Sequence, residues 1–220
     1  MASKILVFCP DFLPNQTGYS HAFALLVQNL LQHGCYVDVL TPCLKPDNEP
    51  EILQHPKLNI VRYQPQLKIW ALGLFYRSGK LAGRIDAMDK QQQYDLVFIE
   101  TGDDPLLIAS LPQRVLNKTV VRFHSTSDTE YLFIGKHKKY KLRRWFWHLL
   151  ACYNVKYLSA TNAFHLGFAH QKVLRNNKIR HHEVIINYVP EIPDILVKAN
   201  AQRKFLMLGR MDEEGYRQKG

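Results

Sequence analysis

Apolar and polar positions switch between two periods along this chain. Residues 4–9, Lys-Ile-Leu-Val-Phe-Cys, form a continuous apolar run stopped by Pro10, the pattern of a strand buried on both faces. From Gly18 to His33 the period becomes helical, with Phe23, Leu26, Val27, Leu30 and Leu31 recurring at three and four. Gly34 follows the last periodic residue, as a helix stop does. Residues 36–41, Tyr-Val-Asp-Val-Leu-Thr, predict the next strand. A strand, a helix and a strand within about 40 residues make a right-handed crossover and so a parallel sheet.

The alternation continues. Strands are predicted at 58–63, 95–99, 119–123, 157–160 and 183–186. Helices are predicted at 66–90, with a break near Gly79 and Gly83, in a short stretch through Leu111, and at 138–155 and 162–174. Seven strands interleaved with helices describe an α/β fold, a doubly wound parallel sheet of Rossmann-like type over residues 1–187. Residues 188–202 hold Pro190 and Pro193 and read as an interdomain linker. Residues 203–220 contain one apolar strand, Lys204-Phe-Leu-Met-Leu208, and a loop, which cannot bury a core alone. They read as the opening of a second, truncated domain.

Composition is ordinary for a globular protein, with 46% hydrophobic and 22% charged residues among 220. No apolar run approaches the roughly 18 residues of a membrane span, and none forms a secretory leader. Cys9, Cys35, Cys43 and Cys152 are scattered, so they read as reduced packing residues. With no leader this suggests a cytoplasmic protein. The charge is uneven: residues 1–110 carry 9 Lys+Arg against 11 Asp+Glu, net −2, whereas residues 111–220 carry 20 against 8, net +12. That asymmetry suggests an anionic partner.

The candidate chemistry gathers after the strands. Gly18 stands where the first loop enters a helix, a place where backbone or phosphate can approach closely. His124 directly follows the strand 119–123, with Ser125 next to it, and Glu100 ends the preceding strand. In open α/β sheets this carboxyl edge is where ligands bind, and an imidazole beside a carboxylate suits a polyol. GxGxxG, GxxxxGK[ST] and GxSxG are all absent, which argues against dinucleotide binding, a P-loop and the common hydrolase site. No spacing suits a metal, so no metal and no cofactor is expected.

Lys136, Lys138, Lys139, Lys141, Arg143 and Arg144 crowd nine residues that contain no acid. Leu142, Trp145, Phe146, Leu149, Leu150 and Tyr153 then fall on one helical face. The stripe reads as core, while the basic cluster can meet an anionic membrane surface.

Taken together, these segments resemble glycosyltransferase family 4, whose members have the two-domain GT-B fold. The resemblance lies in the opening strand with Pro14, Gly18 and Gly34, in Val121-Arg-Phe-His124-Ser-Thr, in Val184-Ile-Ile-Asn187-Tyr-Val189, and in Phe205-Leu-Met-Leu-Gly-Arg210 with Lys219-Gly220. Thr17 stands where a second glycine is usual, Tyr188 where the turn has glycine, and Cys35 where histidine is common.

The resemblance implies the N-terminal, acceptor-side part of a retaining, hexosyltransferase-type enzyme, inactive as this chain alone. It would move a sugar from a nucleotide-diphosphate donor to a hydroxyl on a saccharide or lipid-linked acceptor. His124 would be catalytic. Gly18, Arg210 and Lys219 would bind the donor diphosphate, and Glu100 and Ser125 the acceptor or sugar. The family's Glu-x7-Glu segment lies beyond residue 220. The enzyme would work in the cytoplasm or on the inner face of the cell membrane. A non-catalytic or nucleic-acid- or anionic-surface-binding α/β module is the alternative. Nucleic acid is disfavoured as a partner, because the aromatic residues lie on a helical face and not on a stacking sheet.

Overall fold

Strand and helix alternate through the chain as its periodicity requires. A computed structural model describes residues 2–15, 17–43, 53–64, 70–100, 105–123, 138, 141–142, 155–160 and 179–185. The elements are β1 (Lys4–Phe8), α1 (Gly18–Gln32), β2 (Tyr36–Pro42), β3 (Leu58–Tyr63), α2 (Trp70–Gln92) and β4 (Leu96–Glu100). They continue with α3 (Pro105–Ser110), α4 (Gln113–Leu116), β5 (Thr119–Phe123), β6 (Tyr157–Ala160) and β7 (His181–Val184). Among the described residues the strands form one sheet of seven, ordered β3-β2-β1-β4-β5-β6-β7. Every pairing is parallel.

The apolar runs are continuous because both faces are covered. In β1, Ile5, Val7 and then Cys9 face one core, with Phe12, Phe23, Ala24, Val27 and Leu31 from the first loop and α1. Leu6 and Phe8 face the other, with Leu81, Ala82 and Ile85 of α2 and Leu107 and Ile108 of α3. Each such side chain, fully buried, is worth about 1.5–3 kcal/mol.

The start and stop of α1 have local causes. Thr17, the residue standing where a glycine is usual, is its N-cap: its hydroxyl accepts from the Ser20 N–H at 3.0 Å, and the Ser20 hydroxyl accepts from the Thr17 N–H at 3.1 Å. At the other end Gly34 takes φ +81°, and the N–H groups of Gly34 and Cys35 return to the carbonyls of Leu31 and Leu30. The expected stop is therefore observed.

The amino edge of the sheet has its own order. Helix C-termini gather there with unpaired carbonyls, and lysines at strand starts donate to them. Lys57 Nζ reaches the Gly34 carbonyl at 3.1 Å, Lys4 Nζ the Gln92 carbonyl at 3.4 Å and Lys118 Nζ the Tyr94 carbonyl at 2.5 Å. Beside them, the fully buried carboxylate of Asp89 accepts from Arg114, from Lys118 at 2.7 Å and from the Tyr94 N–H at 3.2 Å. This clamp ties the end of α2 to the α4–β5 junction.

Three details differ from the pattern. Helix α2 runs on through Gly79 and Gly83, both exposed, because Leu81, Ala82 and Ile85 anchor that stretch to the core. Tertiary packing there outweighs a propensity cost of about 1 kcal/mol per glycine. Helix α4 was not expected, since four residues are too few to show a period. The last strand is His181–Val184 and not 183–186, because its polar start sits on an exposed edge that an apolar pattern does not mark. Cys9 is buried as expected, Cys35 and Cys43 are half-buried, and Cys152 lies outside the described residues. The expected linker 188–202 and second domain 203–220 lie outside them too.

Candidate functional site

The strand order reverses direction between β1 and β4, so the helices after these two strands leave on opposite faces. In open α/β sheets such a point, at the carboxyl edge, is where a ligand crevice forms. The first loop, which carries a cis Leu13–Pro14 bond, folds onto itself there. Asp11 accepts from Asn15 at 2.8 Å and from the Thr17 hydroxyl, while the Ser20 hydroxyl donates to the Asn15 carbonyl. These bonds fix the N-terminus of α1 beside the crevice. A Cβ added at Gly18 would meet nothing within 4 Å, so no contact among the described residues demands glycine there.

Beneath α1, one level of the sheet is polar from strand to strand. Phe8 pairs with Leu40 and with Ile99, which places Cys9 beside Thr41 on one side and Glu100 on the other. Glu100 pairs with Arg122, and Arg122 with Ser159. Two residues earlier on three of these strands stand Val7, Val39 and Phe98, all in the α1-side core, so alternation puts the row on that face. All five residues of the row are buried, Glu100 to 2% exposure and Arg122 to 3%.

Charge within the row is arranged and not incidental. Burial pulls the Arg122 guanidinium below its ordinary value, while the Glu100 charge, and then Tyr19 of α1, hold it up. Its carbon lies 5.8 Å from the centre of the Phe98 ring, and Nη2 donates to the Ile185 carbonyl at 3.2 Å. Burial pushes the Cys9 thiol well up, aided by the charges of Glu100 and Asp11 and opposed by its hydrogen bond to the Asp11 carbonyl. A buried, protonated thiol is a packing group and not a nucleophile.

The residues expected at the site divide accordingly. Gly18 and Glu100 are described, Gly18 exposed at the start of α1 and Glu100 buried at the end of β4. His124, Ser125, Arg210 and Lys219 lie outside the described residues. Of the basic cluster, Lys138 and Lys141 are described, helical and exposed, whereas Lys136, Lys139, Arg143 and Arg144 lie outside. Leu142, expected to head a buried stripe, is 55% exposed. Arg122 escaped the sequence reading, although an arginine inside the apolar strand Thr119–Phe123, with a glutamate ending the apolar strand before it, is the signal of a buried pair. Among the described residues no three His, Cys, Asp or Glu side chains gather as a metal ion would need, and no helix is long and apolar enough to cross a membrane.

Solved structures place this architecture. One form of the sucrose-phosphate synthase of Thermosynechococcus elongatus aligns over 86% of this chain and 90% of its own, at 16% identity and a TM-score of 0.52. A longer form of the same enzyme aligns over 84% of this chain at 16% identity and a TM-score of 0.53. The chain shares with them the fold of a Rossmann-like, parallel α/β domain of GT-B type. The chain spans about half, 47%, of that longer form. No protein-family model matches the chain, and no curated protein matches it.

Proposed function

We propose that this chain is the acceptor-side part of a retaining, family 4-like GT-B glycosyltransferase of hexosyltransferase type. It takes a sugar from a nucleotide-diphosphate donor and passes it to an acceptor hydroxyl. The observation that carries this reading is the crevice where the strand order reverses, with a buried Glu100–Arg122 pair in its floor and the exposed start of α1 on its rim. A carboxylate there can accept from sugar hydroxyls, and Gly18 leaves room for a diphosphate. In this reading His124 and Ser125 follow β5 into the same crevice. Arg210 and Lys219 come from a second domain opening at residue 203, where cations meet the charge that develops on the leaving diphosphate. No metal or other cofactor is assigned a step.

Both halves must close on one donor for transfer to occur. Residues 1–220 alone therefore fold but move no sugar from UDP-, GDP- or ADP-glucose or GDP-mannose, whereas the protein carrying the donor-side half transfers from at least one. Turnover by residues 1–220 alone would refute the division of labour.

The acceptor in this proposal is lipid-linked, and the enzyme works at the cytoplasmic face of the membrane. Lys138, Lys141 and Leu142 are each helical and exposed, as residues that touch lipid must be. Each Lys or Arg near an anionic surface is worth about 1 kcal/mol, so the six basic residues between 136 and 144 supply several. The chain should co-sediment with vesicles containing phosphatidylserine, less so as salt shortens the Debye length to about 8 Å, and not with neutral ones. Equal sedimentation after all six become Ser would point to a soluble acceptor.

A further inference from the structure

The floor of the crevice contains two opposite charges where one hydroxyl-binding carboxylate would suffice. Glu100 and Arg122 are register partners, so their backbones lie about 4.8 Å apart and their side chains share one face. Both are almost wholly buried, Glu100 at 2% and Arg122 at 3% exposure. Taking a single charge out of water is strongly unfavourable, and an opposite charge beside it offsets part of that cost. A carboxylate at this depth without a cation would take up a proton, and would then donate a hydrogen bond where the ionised form only accepts.

We infer that Arg122 is a positioning residue, which keeps Glu100 ionised and aimed at the crevice and ties the end of β7 to the same point. The tie is the hydrogen bond from Nη2 to the Ile185 carbonyl at 3.2 Å. The Phe98 ring, 5.8 Å away, gives the guanidinium an aromatic neighbour on the same face. Thr41 and Ser159 continue the row on either side with buried hydroxyls that have no hydrogen-bond partner among the described residues. The other titratable groups that bear on the pair are Cys9 and Asp11 from the end of β1 and Tyr19 from α1. None of these three is a cation, whereas Arg122 is a cation set directly beside Glu100 across the ladder.

This inference rests on the reading in which Glu100 contacts a sugar or acceptor hydroxyl, but its test needs neither donor nor turnover. The chain is labelled with ¹³C at glutamate carboxyls, and the Glu100 signal is assigned by its loss in Glu100→Gln. At pH 7 the wild type and Arg122→Lys should show the ionised signal, and Arg122→Gln the protonated one. A merely structural arginine would leave the signal unmoved. A folded Arg122→Gln chain with Glu100 still ionised overturns the inference, as does a protonated Glu100 in Arg122→Lys. If Arg122→Gln does not fold, the double variant Glu100→Gln/Arg122→Gln decides. Recovery of the fold supports the charge pairing, and continued unfolding overturns it. Failure here leaves the transfer reading standing, and failure of transfer leaves the pair standing.

Discussion

Replacing Asp89 with alanine lowers the stability of the fold by about 3 kcal/mol, the low end of the cost of breaking a buried charge network. Three donors converge on this fully buried carboxylate: Arg114, Lys118 at 2.7 Å and the Tyr94 N–H at 3.2 Å. Arg114 keeps Asp86 at 2.6 Å, and both cations are partly exposed, so they can turn to water. The buried Tyr94 N–H cannot, and an unsatisfied buried donor costs about 1–3 kcal/mol by itself. In a domain of this size the loss lowers Tm by about 6–12 °C. Asp89→Asn keeps an acceptor for Tyr94 and should lose about half as much. Urea unfolding measures both, and an alanine variant within about 0.5 kcal/mol of wild type would show that the clamp contributes nothing net.

On the proposed reading, His124→Ala should lower sugar transfer by about 10²–10³-fold in a protein that carries the donor-side half, the usual cost of removing one group aimed at developing charge. Stability should change by no more than about 0.5 kcal/mol, since a polar residue beyond a strand end adds little to a core. Gly18→Ala in the same assay separates chemistry from folding. An added methyl meets no atom of the described residues within 4 Å, and alanine is the better helix former, so the variant should be at least as stable as wild type. If a diphosphate lies against that backbone, transfer falls all the same. Full turnover in both variants would remove the donor site from this crevice.

The sequence carried most of the sheet because buried parallel strands advertise themselves. Ile5 to Cys9, Leu96 to Ile99 and Thr119 to Phe123 are apolar for the same reason that they are central, being covered on both faces. The start of β7 was misplaced because His181, His182 and Glu183 lie on an exposed edge, where no core selects hydrophobic side chains. The buried polar row was legible only in part. Glu100 stood out as a carboxylate ending an apolar strand, but its partner across the ladder could be named only once the register set Arg122 beside it. Thr17 looked like a departure from a glycine motif, and its capping role needed the geometry of the loop to become visible.

The strand order also sets a timetable for synthesis. On one side of the sheet β1, β2 and β3 are neighbours in chain order, and on the other β4 to β7 follow one another outward. The join between the two sides is β1 against β4, elements separated by the whole of α1, β2, β3 and α2. A ribosome adding about 5–20 residues per second needs roughly 2–7 seconds to go from the end of β3 to the start of β4. During that interval β1 has one edge with nothing to pair with, flanked by Ile5, Leu6, Val7 and Phe8. An interior strand of the finished sheet is thus an edge strand of the nascent one, and the waiting time is when this chain most needs protection from other copies of itself.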